Sequence, residues 1–557
     1  MKPRPIHPAI PRLARLREWC AAHARPLAVG SVMALAAFLA LLFYSATWRT
    51  GDDGRYYTLG MSIAAGQGLT QYANPLQPPE VLTPPLYPAL IAAVIRATDH
   101  PVVWVKRAGN LLYVLAAGLA VLALMGPQGV SRAGWMGACM GMFAVGLVSF
   151  ASFIMSDILF ILLVFAVLWL AQMEQGGAGR AAAVGCLCGL AYLTRAAGLA
   201  LVAAVLFDGL IHRRWKPLAW AGAGLVLVTA PYLYWKAFVV QASDPNWANA
   251  LQNAGLPPGS GRWLGFAVYA VREFIRDLPT DLLSIIPSHF LYAAHKVIGS
   301  PGLWRMITLL LGAGIAAGFL LRIRRWNAVD FFFLFTMLLI AVLPGTAHPV
   351  KYYFFPVLPM AAFYFFSFLE WMAGQFSTRF RWRRTGILFR VGAIGLFCFS
   401  LLLDFAAGVV HFAKENPRRG YGPWAPERFE AFQNDYDDAW ARVSEAAAWI
   451  EANTPPDALL MSRKPAHLLV MSGRQGWRYE IPAQVGSDSI MAAVEKFAED
   501  RMVLLLEDAF PSGAHAYTYG NNREAVLNQT VRQAPEKWDL LHATGEPETR
   551  VWAFAGP

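Results

Sequence analysis

The chain has 557 residues, of which 56% are apolar and only 15% charged, against about 25% charged in an average soluble domain. With a mean hydropathy of +0.40, 20 Trp, 35 Phe and several apolar runs longer than about 18 residues, it is not a soluble enzyme, a disordered or collagen-like chain, or an outer-membrane barrel. The net charge of +11 is unevenly divided. Residues 412–557 hold 15 Lys plus Arg against 21 Asp plus Glu, and the apolar remainder carries the positive excess, which marks cytoplasmic loops rather than a nucleic-acid surface.

Residues 1–26 form a basic tail, with Lys2, Arg4, Arg12, Arg15, Arg17 and Arg25 against Glu18. The apolar run from Pro26 to Trp48 that follows is long for a cleaved leader and lacks a small-x-small site, so it reads as a signal anchor with its N-terminus in the cytoplasm. Further runs cover 84–98, 104–125, 133–150, 157–172, 181–194 and 197–211, and end at the basic cluster Arg213, Arg214 and Lys216. Two more basic clusters, at Arg322, Arg324 and Arg325 and from Arg379 to Arg390, separate the pairs 218–236 with 303–321 and 328–345 with 352–372. A last run, 389–411, leads outward.

Basic clusters stay cytoplasmic, so an even number of crossings must precede Arg213. Run 84–98 is short and holds Pro84, Pro85 and Pro88, so it is read as interfacial or re-entrant, leaving about eleven spans over 27–411. Alternatively, 181–194 and 197–211 form one tilted span and 84–98 crosses. Segments 49–103 and 237–302 become long external loops. Tyr56, Leu59 and Ile63 in the first, and Trp263, Phe266, Ala270, Phe274 and Leu278 in the second, have the spacing of helices lying in the headgroup plane.

After His411 the character changes. A polar linker, Asn416 to Pro426, precedes a helical pattern over 436–453, β-rich runs at Ala458–Met461, Met502–Leu506 and Arg550–Phe554, and helical patterns at 488–499 and 521–533. Residues 412–557 are therefore expected to form a small α/β domain outside the membrane.

The first external loop opens with Gly51-Asp52-Asp53-Gly54-Arg55-Tyr56, which reads either as a polar turn or as a carboxylate base at the membrane surface, tuned by its neighbour. Asp157, at the start of an apolar run, is an intramembrane acid or a helix N-cap arrangement shared with Ser156. Arg195 interrupts about thirty apolar residues and needs an anionic partner, which is either Asp157 or a lipid-linked phosphate. Lys351 is a headgroup lysine or a second phosphate contact. Gly137 with Gly141, and Gly314 with Gly318, have the spacing of helix packing. The five cysteines suggest no disulfide framework and no zinc spacing. No P-loop, dinucleotide fingerprint or Gly-x-Ser-x-Gly is found, so no organic cofactor is expected.

Several of these motifs together resemble the GT-C glycosyltransferase superfamily, in particular bacterial relatives of protein O-mannosyltransferases and of the aminoarabinose transferases that modify lipid A. They are Asp52-Asp53-Gly54-Arg55-Tyr56-Tyr57 through Gly66-Gln67-Gly68, Thr83 to Pro88, Ser156-Asp157-Ile158-Leu159-Phe160, Gly189 to Arg195, and Lys351-Tyr352-Tyr353 through Pro356 and Pro359. The stretches Trp449 to Ala458 and Ser462 to Pro465 resemble the external domain of many bacterial members.

The resemblance implies transfer of a sugar from a polyprenyl phosphate donor to a glycan, lipid or protein acceptor at the periplasmic face of a bacterial inner membrane. Asp52 matches the catalytic carboxylate and Asp157 the second acidic position, while Asp53 stands where the family often has Glu. Arg195 and Lys351, with Arg55 and Tyr352 beside the motifs, are the expected donor-phosphate contacts. Some members use a divalent metal, which these carboxylates alone do not establish. Two other classes compete. A lipid-linked sugar transporter would show internal repeats and a midplane site; a non-catalytic assembly factor would not need the charged surface cluster.

Overall fold

A computed structural model describes residues 23–42, 53–80, 83–126, 131–151, 153–173, 177–239, 300–342, 351–379, 437–462, 464–477, 489–508, 530–545 and 548–556, with scattered single positions elsewhere. The basic tail before residue 23, Asp52, the amphipathic pattern Trp263 to Leu278, the 416–426 linker and most of runs 389–411 and 521–533 lie outside these residues.

The described chain begins with α1 (Ala24–Leu42), α2 (Asp53–Ala64), α3 (Leu86–Ala97) and α4 (Pro101–Met125). It continues through α5 (Arg132–Met142), α6 (Val145–Phe150), α7 (Asp157–Ala171), α8 (Gly177–Thr194), α9 (Gly198–Ile211) and α10 (Trp215–Tyr234). After the second loop come α11 (Pro301–Leu321), α12 (Ala328–Val342), a 3₁₀ segment at Lys351–Val357 and α13 (Leu358–Arg379). Among the described residues five helices are long and apolar enough to cross a membrane: Ala24–Leu41, Pro101–Met125, Trp215–Phe238, Pro301–Leu321 and Phe354–Phe376. Shorter apolar helices at Leu86–Ala97, Asp157–Ala171, Gly198–Ile211 and Ala328–Ile340 accompany them.

The run 84–98 yields the 12-residue α3, about 18 Å long at 1.5 Å per residue and shorter than a hydrocarbon core. Run 133–150 is not one helix: it breaks at Phe143 and Ala144 between α5 and α6. Runs 181–194 and 197–211 are likewise separate helices, parted at Arg195, whose carbonyl accepts the Gly198 amide at 2.9 Å.

Glycines set the closest helix contacts. A methyl group on Gly141 would lie 2.3 Å from Pro359 Cα, and one on Gly137 2.6 Å from Phe363 Cα, so α5 rests backbone to backbone on α13. On the other side, a methyl on Gly318 would lie 1.9 Å from the Tyr364 carbonyl oxygen. Both GxxxG pairs thus clamp α13, as small-residue stripes allow where apolar lipid supplies no hydrophobic drive between helices.

At one end of the bundle two of the basic turns meet. Arg322 Nε lies 3.0 Å from the fully buried Asp330, which also accepts the Tyr364 hydroxyl at 3.0 Å, and Arg214 lies 3.6 Å from Asp208. Asp208, His212, Arg214, Arg325 and Asn327 line one cavity of about 170 Å³. The positive excess is therefore partly neutralised by acids at the ends of α9 and α12.

The C-terminal residues build a five-stranded sheet in the order β2-β1-β3-β5-β4. Its strands are β1 (Leu459–Met461), β2 (Gly476–Trp477), β3 (Val503–Glu507), β4 (Trp538–Ala543) and β5 (Arg550–Phe554), with helices α14 (Asp437–Asn453), α15 (Pro465–Ser472) and α16 (Ile490–Ala498). Strands β2, β1 and β3 run parallel, in the register Leu460 to Gly476 and to Leu504; β5 and β4 are antiparallel. β1 and most of β3 are buried on both faces, which is why they read as unbroken apolar runs. Leu459, Met461, Val503 and Leu505 pack with α16 on one face. On the other, Leu460 and Leu504 join α14 in a core continuous with the apolar helices.

Candidate functional site

The acidic motif sits where α2 begins. Asp53 is its first residue and is fully buried, beside the partial positive charge of the free helix amides, which stabilises a carboxylate there. Of the expected face Tyr56, Leu59 and Ile63, only Leu59 is buried, with Gly54, Tyr57, Thr58, Gly60 and Ser62 buried beside it. α2 packs against α3 and α15. Burial pushes the Tyr57 hydroxyl up to about 12.

Arg55 turns back onto the loop that follows α2. Its Nη2 lies 2.7 Å from Glu80 Oε1, and Glu80, 1% exposed, also accepts the Thr83 amide at 3.0 Å. Arg55 is thereby tied to a carboxylate that the sequence reading did not single out. The available signal was chemical: Glu80 is the lone acid between Asp53 and Asp99, in an otherwise uncharged Pro-rich stretch.

Asp157 begins α7 and is nearly fully buried. Arg195, at the break between α8 and α9, places Nη1 2.5 Å from Asp157 Oδ2. Of the two anionic partners weighed for Arg195, the structure shows the protein carboxylate. The neighbouring Ser156 supplies no cap to α7 through its side chain; instead its hydroxyl lies 2.8 Å from the Tyr56 hydroxyl, joining α2 to the start of α7.

Tyr87, at the start of α3, packs against the acidic turn of α2. It is buried and stacks edge-on against Tyr56, centroid to centroid 5.3 Å. Burial pushes its hydroxyl well above the ordinary value, and the carboxylates of Asp53 and Asp157 push it the same way. The sequence-predicted Asp53 and Asp157 begin α2 and α7, which the Tyr56–Ser156 contact joins. Lys106, 1% exposed in α4, and His467, 2% exposed in α15, are buried titratable groups that the sequence reading passed over. Asp52 and the side chains of Lys351 and Tyr352 lie outside the described residues; the backbone at Lys351–Val357 packs against α7 and α13. Among the described residues no three His, Cys, Asp or Glu side chains converge into a metal-holding group.

The fold is shared with solved structures. Over 96% of this chain and all of the other, it is similar to the crystal structure of ArnT from Cupriavidus metallidurans bound to undecaprenyl phosphate, with a TM-score of 0.53 and 13% identity. The apo structure of the same ArnT gives 0.55 and 15% identity over the same shares. No family model and no curated protein matches the sequence. The likeness to these structures extends over nearly the whole chain.

Proposed function

We propose that this chain is an integral-membrane glycosyltransferase that moves a sugar from a polyprenyl phosphate to an acceptor at the outer face of a bacterial inner membrane. The observation that carries it is the buried Asp157–Arg195 pair at the start of α7, joined to the acidic turn of α2 by the Tyr56–Ser156 hydroxyl contact, within a fold like that of a protein crystallised with undecaprenyl phosphate.

In this reading the acceptor is a hydroxyl or amine of a glycolipid, polysaccharide or protein. It attacks the anomeric carbon as the bond from that carbon to the phosphate oxygen breaks, with inversion. Asp52 takes the proton from the attacking group, and Asp53 and Asp157 hold the negative field that keeps that carboxylate basic. The polyprenyl phosphate leaves as a stabilised anion and needs no general acid. A guanidinium carries five N–H donors, so Arg195 can bridge Asp157 and a phosphate oxygen; Arg55, Lys351 and Tyr352 complete the donor-phosphate contacts. The N-terminus is cytoplasmic, and the C-terminal sheet lies with the site on the periplasmic side.

The test is transfer by the purified protein in lipid vesicles, supplied with polyprenyl phosphate sugars and a bacterial membrane lipid extract. The reading expects free polyprenyl phosphate and glycosylated acceptor to appear in equal amounts. Donors that bind but are never cleaved would overturn it.

A further inference from the structure

Helix α15, beside the C-terminal sheet, touches the acidic motif directly. The backbone amide of Gly54 donates to His467 Nε2 at 3.4 Å, across 413 positions of sequence. The His467 ring also occupies the space above Gly54: a methyl group there would lie 2.7 Å from Nδ1 and 2.9 Å from Cε1. Gly54 immediately follows Asp53, and its amide belongs to the first turn of α2, whose amides lack partners within the helix. His467 satisfies one of them from outside.

The helix carrying His467 is itself rigidly held. Gly473 ends α15 in the left-handed conformation at φ 68°. The buried Arg474 then donates to the carbonyls of Ser472, Glu451 and Thr454 at 3.1, 3.0 and 2.7 Å, pinning this turn to the end of α14. Two residues on, the edge strand β2 meets the same external loop again. Gln475 Nε2 donates to the Tyr72 carbonyl at 3.3 Å, and the Gly476 amide to the Ala73 carbonyl at 2.8 Å. Residues 467–476 therefore grip the loop at two points, one at the start of α2 and one ahead of Glu80, the partner of Arg55.

We propose that His467 is a positioning residue for transfer, whose imidazole, by accepting the Gly54 amide and covering Gly54, lets the docked C-terminal sheet set the conformation of the acidic turn. The inference rests on the transferase reading for its effect on rate, but the contact can be tested without it. Accepting at Nε2 places the ring proton of neutral His467 on Nδ1. A glutamine side chain can offer its amide oxygen at nearly the Nε2 position, whereas alanine offers nothing.

The experiment uses the full-length protein in vesicles, as wild type, His467→Ala, His467→Gln and Gly54→Ala. Polyprenyl phosphate release is read with undecaprenyl phosphate sugars as donors, and hydrogen exchange is read over residues 53–64. For His467→Ala the expected result is a kcat lower by about 10- to 100-fold, the scale of small misplacement at a reacting centre, with donor KM within about twofold and faster exchange at the start of α2. His467→Gln recovers most of the kcat, and Gly54→Ala reproduces the His467→Ala defect by pushing the ring away. Unchanged exchange and unchanged kcat in His467→Ala would overturn the proposal. So would parallel loss of donor binding and kcat that glutamine does not rescue, since that marks a fold defect. Absence of release by wild type would overturn the transferase reading instead, and hydrogen exchange would still decide whether His467 holds the turn.

Discussion

Arg195 and Asp157 meet at 2.5 Å with side chains 12% and 3% exposed, joining the break between α8 and α9 to the first residue of α7. Removing one partner leaves an uncompensated buried charge, which costs about 3–5 kcal/mol. Arg195→Leu and Asp157→Leu should each lower the melting temperature in detergent sharply, and the double variant should recover much of the loss. If Arg195 is the proposed counter-charge of the leaving phosphate, activity should stay lost in the double variant. A double variant no more stable than the singles would contradict the pairing.

The second ion pair is asymmetric, and its variants should be too. Glu80 is 1% exposed whereas Arg55 is 33% exposed. Arg55→Ala leaves a buried carboxylate short of a partner and should destabilise by about 1–3 kcal/mol. Glu80→Gln leaves an arginine that can turn to water, and should cost less than about 1 kcal/mol. Equal melting temperatures for the two variants would show that Glu80 does not depend on Arg55.

The clamp on α13 has no room for a methyl group. Gly141→Ala and Gly318→Ala meet backbone at 2.3 and 1.9 Å, so each should destabilise by about 1–3 kcal/mol through forced separation of helices. Gly179→Ala, with nothing within 4 Å, is the control and should be neutral or mildly stabilising because alanine favours helix. Losses of the same size at all three positions would contradict backbone contact as the cause.

Periodicity and charge made much of this arrangement readable beforehand. Apolar runs became helices, the patterns over 436–453 and 488–499 became α14 and α16, and β1, β3 and β5 stood at the expected β-rich runs. Asp157 and Arg195 were legible because charge is costly in apolar surroundings, and Asp53 because it belongs to a glycine-flanked acidic pair. Glu80 and His467 were not, because their meaning lies in contacts with Arg55 and Gly54, and a contact across 413 positions leaves no local period. α15 was missed for a related reason: it has eight residues, barely two turns. The break at Phe143 and Ala144 carries no proline or charge to announce it.

We propose Asp52, the residue before α2 in the sequence, as the base for glycosyl transfer. The most direct measurement compares polyprenyl phosphate release by wild type, Asp52→Asn and Asp53→Asn in vesicles at saturating donor, with donor binding measured alongside. The account predicts that Asp52→Asn binds donor normally and loses about 10²- to 10⁴-fold in rate, the scale of a missing general base, while Asp53→Asn loses less. Release by Asp52→Asn at the wild-type rate would contradict it.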